Sequence, residues 1–251
     1  MAAGYNKLMH TSESVIAITG GSRGIGAATA VRVAKAGHHV AIGYRNNVNA
    51  AQEVVQSVRS LGQQAMAIPI DVTDPDSVSQ FFVASTTLGD LRGVVASAGA
   101  VQAVGPLLEL DPEEIRRDLE VNLYGAILTA REAIRYLTTT RGSLVLIGSG
   151  ASTIGSPGTY VHYAAAKAGI AALSIGLSKE LAKDGIRVNC VEPGTVWTDF
   201  HQDPQRPAKV AASIPLGRPG VPEEIAGAVA WLLSDDASYT TGATLRVAGG
   251  L

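Results

Sequence analysis

The segment "GSPGTYVHYAAAKAG", residues 155–169, sets Tyr160, His162, Tyr163 and Lys167 in a run that is otherwise small and apolar. Tyrosine and lysine are costly to bury there unless their polar ends have partners or work. A phenol can give or take a proton, yet its free pKa of about 10 is too high for efficient exchange at neutral pH. A nearby lysine ammonium favours the phenolate. On a helix, residues four apart are neighbours on one face, which pairs Tyr163 with Lys167. Tyr160 stands about 10 Å from Lys167 along the helix axis, and it follows "GSPG", so it falls in or just before the first turn. Tyr163 with Lys167 is therefore the candidate acid/base pair.

A second chemical feature is "TGGSRGIG", residues 19–26, between an apolar run and a helical pattern. Glycines at 20, 24 and 26 permit a tight turn, close backbone approach to a pyrophosphate and close packing of helix on strand. The helix N-terminus then faces the phosphates. The spacing is G-x-x-x-G-x-G rather than G-x-G-x-x-G, but its place between strand and helix reads as a dinucleotide loop. In such folds an acid ending the second strand binds the ribose hydroxyls of NAD, and an arginine nearby accommodates the NADP phosphate. Here that strand ends "GYRNN", with Tyr44 at the acid's place followed by Arg45 and Asn46. Arg23, inside the loop, can reach the same phosphate, so NADP(H) is expected over NAD(H). Asp71, ending the third strand, is expected to accept from the adenine amino group or to cap the helix after Pro75.

The elements that must position these residues follow from patterning. Apolar, β-branched runs at 14–19, 39–44, 65–70, 92–97, 143–148, 186–191 and 244–248 read as strands covered on both faces. Segments long enough for crossover helices separate the first six. Asp111 before Pro112, and Pro222 before two glutamates, mark helix starts. The fold class expected is α/β: one Rossmann domain, a doubly wound parallel sheet of about seven strands with helices on both faces. It would span residues 13–251 after a flexible tail, residues 1–12.

Formal charge is −2, which argues against a nucleic-acid surface. The one cysteine, Cys190, excludes an internal disulfide and reads as a buried, inert thiol. No window approaches a membrane span, so a soluble, cytoplasmic protein is expected, with no metal. His162 lacks a second ligand at metal-binding spacing and reads as a surface residue, while His38 and His39 read as structural. Ser149 follows strand five directly, where open α/β sheets place ligands. It is preferred over Ser152 and Thr153, and Ser152 reads as loop structure.

The ordered set "TGGSRGIG", "DV" at 71–72, "VN" at 121–122, "IGSGAS" around Ser149, "YAAAK" at 163–167 and "EPGTVWT" at 192–198, with "PLGRPGVPEE" and the residues to Gly250, resembles the short-chain dehydrogenases/reductases. The resemblance covers nearly the whole chain. It implies that Tyr163 donates a proton to a carbonyl oxygen while hydride arrives from NADPH, and that Ser149 hydrogen-bonds the same oxygen. Lys167 would hold the nicotinamide ribose, and Asn122 would bind a water beside it. Cofactor contacts are implied at Gly20, Ser22, Arg23, Gly24, Ile25 and Gly26 and at Asp71 and Val72. Further contacts fall at Ala98, Gly99, Pro193, Gly194, Val196 and Thr198.

The segment 195–218 would be a lid, where Thr195, Trp197 and His201 are candidates to meet substrate, and loop 100–110 would share in specificity. "ASAG" replaces the usual Asn-Asn-Ala-Gly after strand four, and Glu192 is unusual before Pro193. The subgroup most resembled is the 3-oxoacyl-[acyl-carrier-protein] reductases, which makes a 3-ketoacyl thioester the leading substrate. Arg141 and Lys183 stand where those reductases carry basic residues for the carrier protein, and Asp184 opposes them. Sugar, steroid or xenobiotic ketones stay open. A non-catalytic NADP-binding redox sensor is the alternative of another class, and it is disfavoured because Asn122, Ser149, Tyr163 and Lys167 are all present. The helices beginning near Pro112 and Tyr163 are small or apolar around most of their surface and call for a partner subunit. The family implies a homotetramer.

Overall fold

The computed structural model describes residues 13–200 and 202–251; the tail expected at 1–12 and the candidate His201 lie outside the described residues. Each apolar run becomes a strand: β1 (Ser14–Thr19), β2 (His39–Tyr44), β3 (Ala65–Pro69), β4 (Asp90–Ala96), β5 (Ser143–Ile147), β6 (Arg187–Pro193) and β7 (Thr244–Val247). They form one sheet in the order β3-β2-β1-β4-β5-β6-β7, with every neighbouring pair parallel. The strand order reverses between β1 and β4, which opens a crevice at the carboxyl ends of the strands. No helix among the described residues is long and apolar enough to cross a membrane.

Helices α1 (Gly24–Lys35) and α2 (Val48–Arg59) cover one face, while α3 (Pro75–Ser85) covers the other. Beyond β4 come α4 (Pro112–Leu119), α5 (Gly125–Thr140), the short α6 (Ala151–Ile154), α7 (Val161–Glu180), α8 (Arg206–Val210) and α9 (Pro222–Leu233). Ile225, Val229 and Leu232 of α9 join the α1–α2 face; Leu128, Leu137 and Ile170 pack with Phe81 and Phe82 on the other. Asp111 caps α4 by accepting from the Glu113 N–H at 2.9 Å, and Glu224 accepts from the Val221 N–H at 2.9 Å at the start of α9.

Two expectations are corrected here. The cap of α3 is Asp74, which accepts from the Asp76 N–H at 3.0 Å, and not Asp71. Asp71 lies too early in the turn and accepts instead from the Thr73 N–H and hydroxyl, at 3.0 and 2.7 Å. The single helix read from Pro112 onward is also interrupted, by a π-helical turn at Glu120–Tyr124 between α4 and α5. Such turns recur at functional sites because they redirect side chains, and this one carries Asn122.

Leu146 lies wholly buried on β5, level with Ala96 on β4 and Cys190 on β6. Truncating it leaves a cavity that the flanking strands cannot close. Leu146→Ala should lose about 2–5 kcal/mol of stability, read from the shift of a urea unfolding curve.

Candidate active site

The glycine loop joins β1 to α1 by close contact. A Cβ on Gly26 would stand 2.3 Å from the Gly20 oxygen, and one on Gly20, whose φ is +66°, would stand 2.8 Å from the Ala98 Cα. Only glycine allows both approaches. Arg23 occupies the N-cap of α1, and no side chain caps that end, so its first N–H groups are left for a ligand.

The loop opens onto a cleft of about 470 Å³. Gly20, Ser22, Arg23, Gly24, Ile25 and Gly26 line one wall, followed by Tyr44, Arg45, Asn46, Asp71 and Val72. Ala98, Gly99, Ser149, Tyr163, Lys167, Pro193, Gly194, Val196 and Thr198 also line it. Every residue singled out for a dinucleotide therefore faces one cavity. Arg45 pairs with Asp71 at 3.1 Å. Burial pushes the Asp71 carboxyl up, but the Thr73 hydroxyl and N–H, with Arg45, outweigh it and hold the acid below its usual range.

Tyr163 and Lys167 share the buried face of α7, at 7% and 5% exposure. The ammonium lies 5.6 Å from the Tyr163 ring centre and donates to the Ile147 carbonyl of β5 at 2.8 Å. Ser149 and Tyr163 line the same cleft, close enough for the serine hydroxyl to act on the phenol, and Ser149 Oγ accepts from the Ala151 N–H at 3.1 Å. Tyr160 is the N-cap residue of α7. Its ring meets Tyr163 edge-on at 5.3 Å, and its hydroxyl accepts from Arg206 Nη2 at 2.9 Å. It faces the segment after β6 rather than the lysine. Asn122 sits behind the cleft, donating from Nδ2 to the Asp118 carbonyl at 2.8 Å and to the Ala100 carbonyl. A Cβ on Gly99 would meet Asn122 Oδ1 at 3.0 Å and Lys167 Nζ at 3.9 Å, so only a glycine leaves this corner open.

The lysine together with the ring of an oxidised nicotinamide was expected to favour the phenolate; in the chain by itself burial dominates and pushes Tyr163 well above the tyrosine range, and the Ser149 hydroxyl pulls it back only in part. Burial also lowers Lys167 to about 8, because an ammonium in apolar surroundings lacks solvation. Cys190 is buried, and burial, aided by the Glu192 charge, pushes its thiol up to about 12, an inert state.

Three further corrections concern neighbours. His162 is buried rather than on the surface, because an acid waits for it inside: its Nε2 lies 2.9 Å from Asp118 Oδ2. Ser152 lies in α6, not in loop, and donates to Glu192. Glu192, only 3% exposed, also accepts from Arg246 Nη2 at 2.9 Å, and the arginine reaches Thr153 Oγ1 at 2.7 Å. This clamp ties the turn after Ser149 to β6 and β7. Trp197 and Thr195 stand outside the cleft, which instead takes Asp199, Phe200 and Gln102 from the two flexible-length connections. His38 and His39 are structural, as expected: His38 bonds the Ser14 hydroxyl, and His39 accepts from the Gln64 N–H.

The Lys167 shift has a testable consequence. Its folded pKa of about 8 lies below the ordinary 10.5, so the unfolded chain holds the proton more tightly between those values. The buried ammonium therefore costs stability most fully below pH 8, and the cost fades as pH rises to 10.5. Lys167→Met should be more stable than the parent at pH 7 by on the order of 3 kcal/mol or less. That advantage should shrink steadily in urea unfolding curves recorded from pH 8 to 10.5.

A family model described as enoyl-(acyl carrier protein) reductase matches residues 20–251. The uncharacterized oxidoreductase YgfF of Escherichia coli strain K12 is 41% identical over 245 residues, covering 94% of this chain and 99% of its own. The L-rhamnose 1-dehydrogenase (NAD(P)(+)) of Sphingomonas sp. strain SKA58 is 36% identical, covering 94% of this chain and 95% of that protein. Among solved structures, a blue fluorescent protein from a metagenomic library, in complex with NADPH, matches with a TM-score of 0.88 at 33% identity, over 94% of this chain and 97% of that one. With its parallel seven-stranded sheet, glycine loop and Ser149–Tyr163–Lys167 cluster, the chain belongs to the short-chain dehydrogenase/reductase family of oxidoreductases.

Proposed function

We propose that this chain is an NADP(H)-dependent oxidoreductase that interconverts a ketone and a secondary alcohol, with Tyr163 as general acid/base. The observation that carries the reading is that Ser149, Tyr163 and Lys167, the last one turn along α7 from the phenol, line the same cleft as the glycine loop. The cleft fits a dinucleotide by its donors. Uncapped N–H groups open α1, and Gly99 leaves the corner beside Lys167 clear. Arg23 and Arg45 face the cavity where the residue ending β2 is Tyr44 rather than an acid, which supports NADP over NAD.

When bound, the nicotinamide would supply or accept the hydride; the rest is the work of this chain. Burial keeps the Tyr163 phenol protonated at neutral pH, so the acid is loaded for reduction. The Ser149 hydroxyl shares the oxygen that Tyr163 protonates and fixes its direction. Lys167, held by the Ile147 carbonyl, keeps a positive charge one helical turn from the phenol, which steadies the phenolate left behind. The Gly148 N–H on the Val191 carbonyl and the Glu192–Arg246 clamp hold the turn around Ser149 from the other side.

A 3-ketoacyl thioester is the first substrate in this reading, supported by the family model's acyl-carrier description. A sugar alcohol or lactol is the second, supported by the rhamnose dehydrogenase. A homotetramer is the assembly we propose: Tyr124, Ile127 and Ile175 stand exposed on neighbouring turns and α7, where a second subunit would cover them.

The test is loss of NADPH absorbance with acetoacetyl thioester, beside NADH and beside L-rhamnose with NADP. Tyr163→Phe should cut the rate by roughly 10²–10⁴-fold while NADPH binding, read by fluorescence, is kept. Equal use of NADH would refute the NADP preference, and a fully active Tyr163→Phe would refute the mechanism.

A further inference from the structure

Asp118 and His162 form a buried pair that the proposed chemistry does not use. Asp118 is 2% exposed, and its carboxylate takes three sets of donors. The Gln102 N–H reaches Oδ1 and Oδ2 at 2.9 and 3.1 Å, the Ala103 N–H reaches Oδ2 at 3.1 Å, and His162 Nε2 reaches Oδ2 at 2.9 Å. An ionised carboxylate only accepts, so the imidazole proton sits on Nε2. The other ring nitrogen, Nδ1, is buried without a hydrogen-bond partner among the described residues. A carboxylate buried this deeply is sustained by the donors around it.

The position of the pair gives it a purpose. His162 immediately precedes Tyr163 on α7, and Asp118 lies one helical turn before Asn122. The two amides that Asp118 holds belong to the connection after β4. That connection is fastened again by Asn122 on the Ala100 carbonyl, and the Gly105 N–H donates to Thr159 just before α7. Val101 from the same stretch packs against Tyr163 and Ala164, and Gln102 lines the cleft. From the other side, Gln202 Nε2 donates to the Gln102 carbonyl at 2.6 Å, bringing the segment after β6 onto this wall. Removing the pair would loosen residues 101–103 from α4 and α7, whereas the glycine loop meets this connection only at its start, where Gly20 stands against Ala98.

We propose that Asp118 and His162 are positioning residues that hold residues 101–103 as the substrate-side wall of the cleft and so set affinity for the carbonyl compound rather than for the dinucleotide. The inference rests on the ketone/alcohol reading of this site. A hydrogen bond to a charged group contributes about 1.5–3 kcal/mol, so its loss converts to roughly a tenfold or larger change in an equilibrium.

Three variants test it: His162→Leu, which removes the donor; His162→Gln, which keeps an N–H of similar reach; and Asp118→Asn. Hydrogen exchange of the peptide holding Gln102 and Ala103 should quicken about tenfold or more in His162→Leu and return toward the parent in His162→Gln. In steady-state assays His162→Leu should raise the carbonyl substrate's KM about tenfold, with kcat and the NADPH dissociation constant changed far less. Asp118→Asn should follow His162→Leu in both readouts. Unchanged exchange in His162→Leu overturns the buttress. Faster exchange with an unchanged KM, or an equal loss of NADPH binding, overturns its role toward substrate. A folded parent that binds NADPH but reduces no carbonyl compound refutes the ketone/alcohol reading itself, and the exchange experiment then still decides whether the pair holds the wall.

Discussion

Burying the Lys167 ammonium is the constraint around which this structure is arranged. A charge in apolar surroundings is tolerated only where fixed dipoles replace water. Here the Ile147 carbonyl at the end of β5 does so. That carbonyl is free to accept because β5 ends there and the chain turns into Ser149 and α6. The same strand end therefore supplies the lysine's partner and the serine beside the phenol. Tyr163, one turn earlier on α7, is brought against both without a long-range adjustment.

The surrounding elements serve that arrangement. Parallel pairing of β4, β5 and β6 fixes the height of three connections at one edge of the sheet. The π turn swings Asn122 inward behind Gly99, and Asp118, two residues before the turn, reaches across to the connection after β4. On the opposite side, Glu192 binds Ser152 and Arg246 and fastens α6 to β6 and β7. Two buried carboxylates thus brace Ser149 and Tyr163 from two directions, Asp118 through the His162 imidazole and Glu192 through the Arg246 guanidinium.

Much of this was legible in the residues. Strand runs are apolar on both faces and glycine marks the loop after β1, so the doubly wound parallel sheet and the place of the glycine loop follow from local pattern. The choice of Tyr163 over Tyr160 needed only helical spacing. What escaped was long-range and polar. His162 reads as a surface residue because its acid lies 44 positions away, and no periodicity links them. The π turn arises from tertiary packing, which propensity does not encode. Glu192 was visible as an odd acid in an apolar strand, but its partners sit on α6 and β7. The sign of the Tyr163 shift depends on burial depth against charge distance, and spacing alone gives only the second.

The account stands on a phenol that burial, rather than the lysine, controls. Tyrosinate absorbance, recorded as the difference between the parent and Tyr163→Phe during a pH titration of the protein alone, isolates this one hydroxyl from the other six tyrosines. A Tyr163 that stays protonated past the ordinary tyrosine value of about 10, until the fold itself gives way, is the result predicted. A phenolate forming near neutral pH would mean that the lysine's charge overrides burial, and would contradict the arrangement described here.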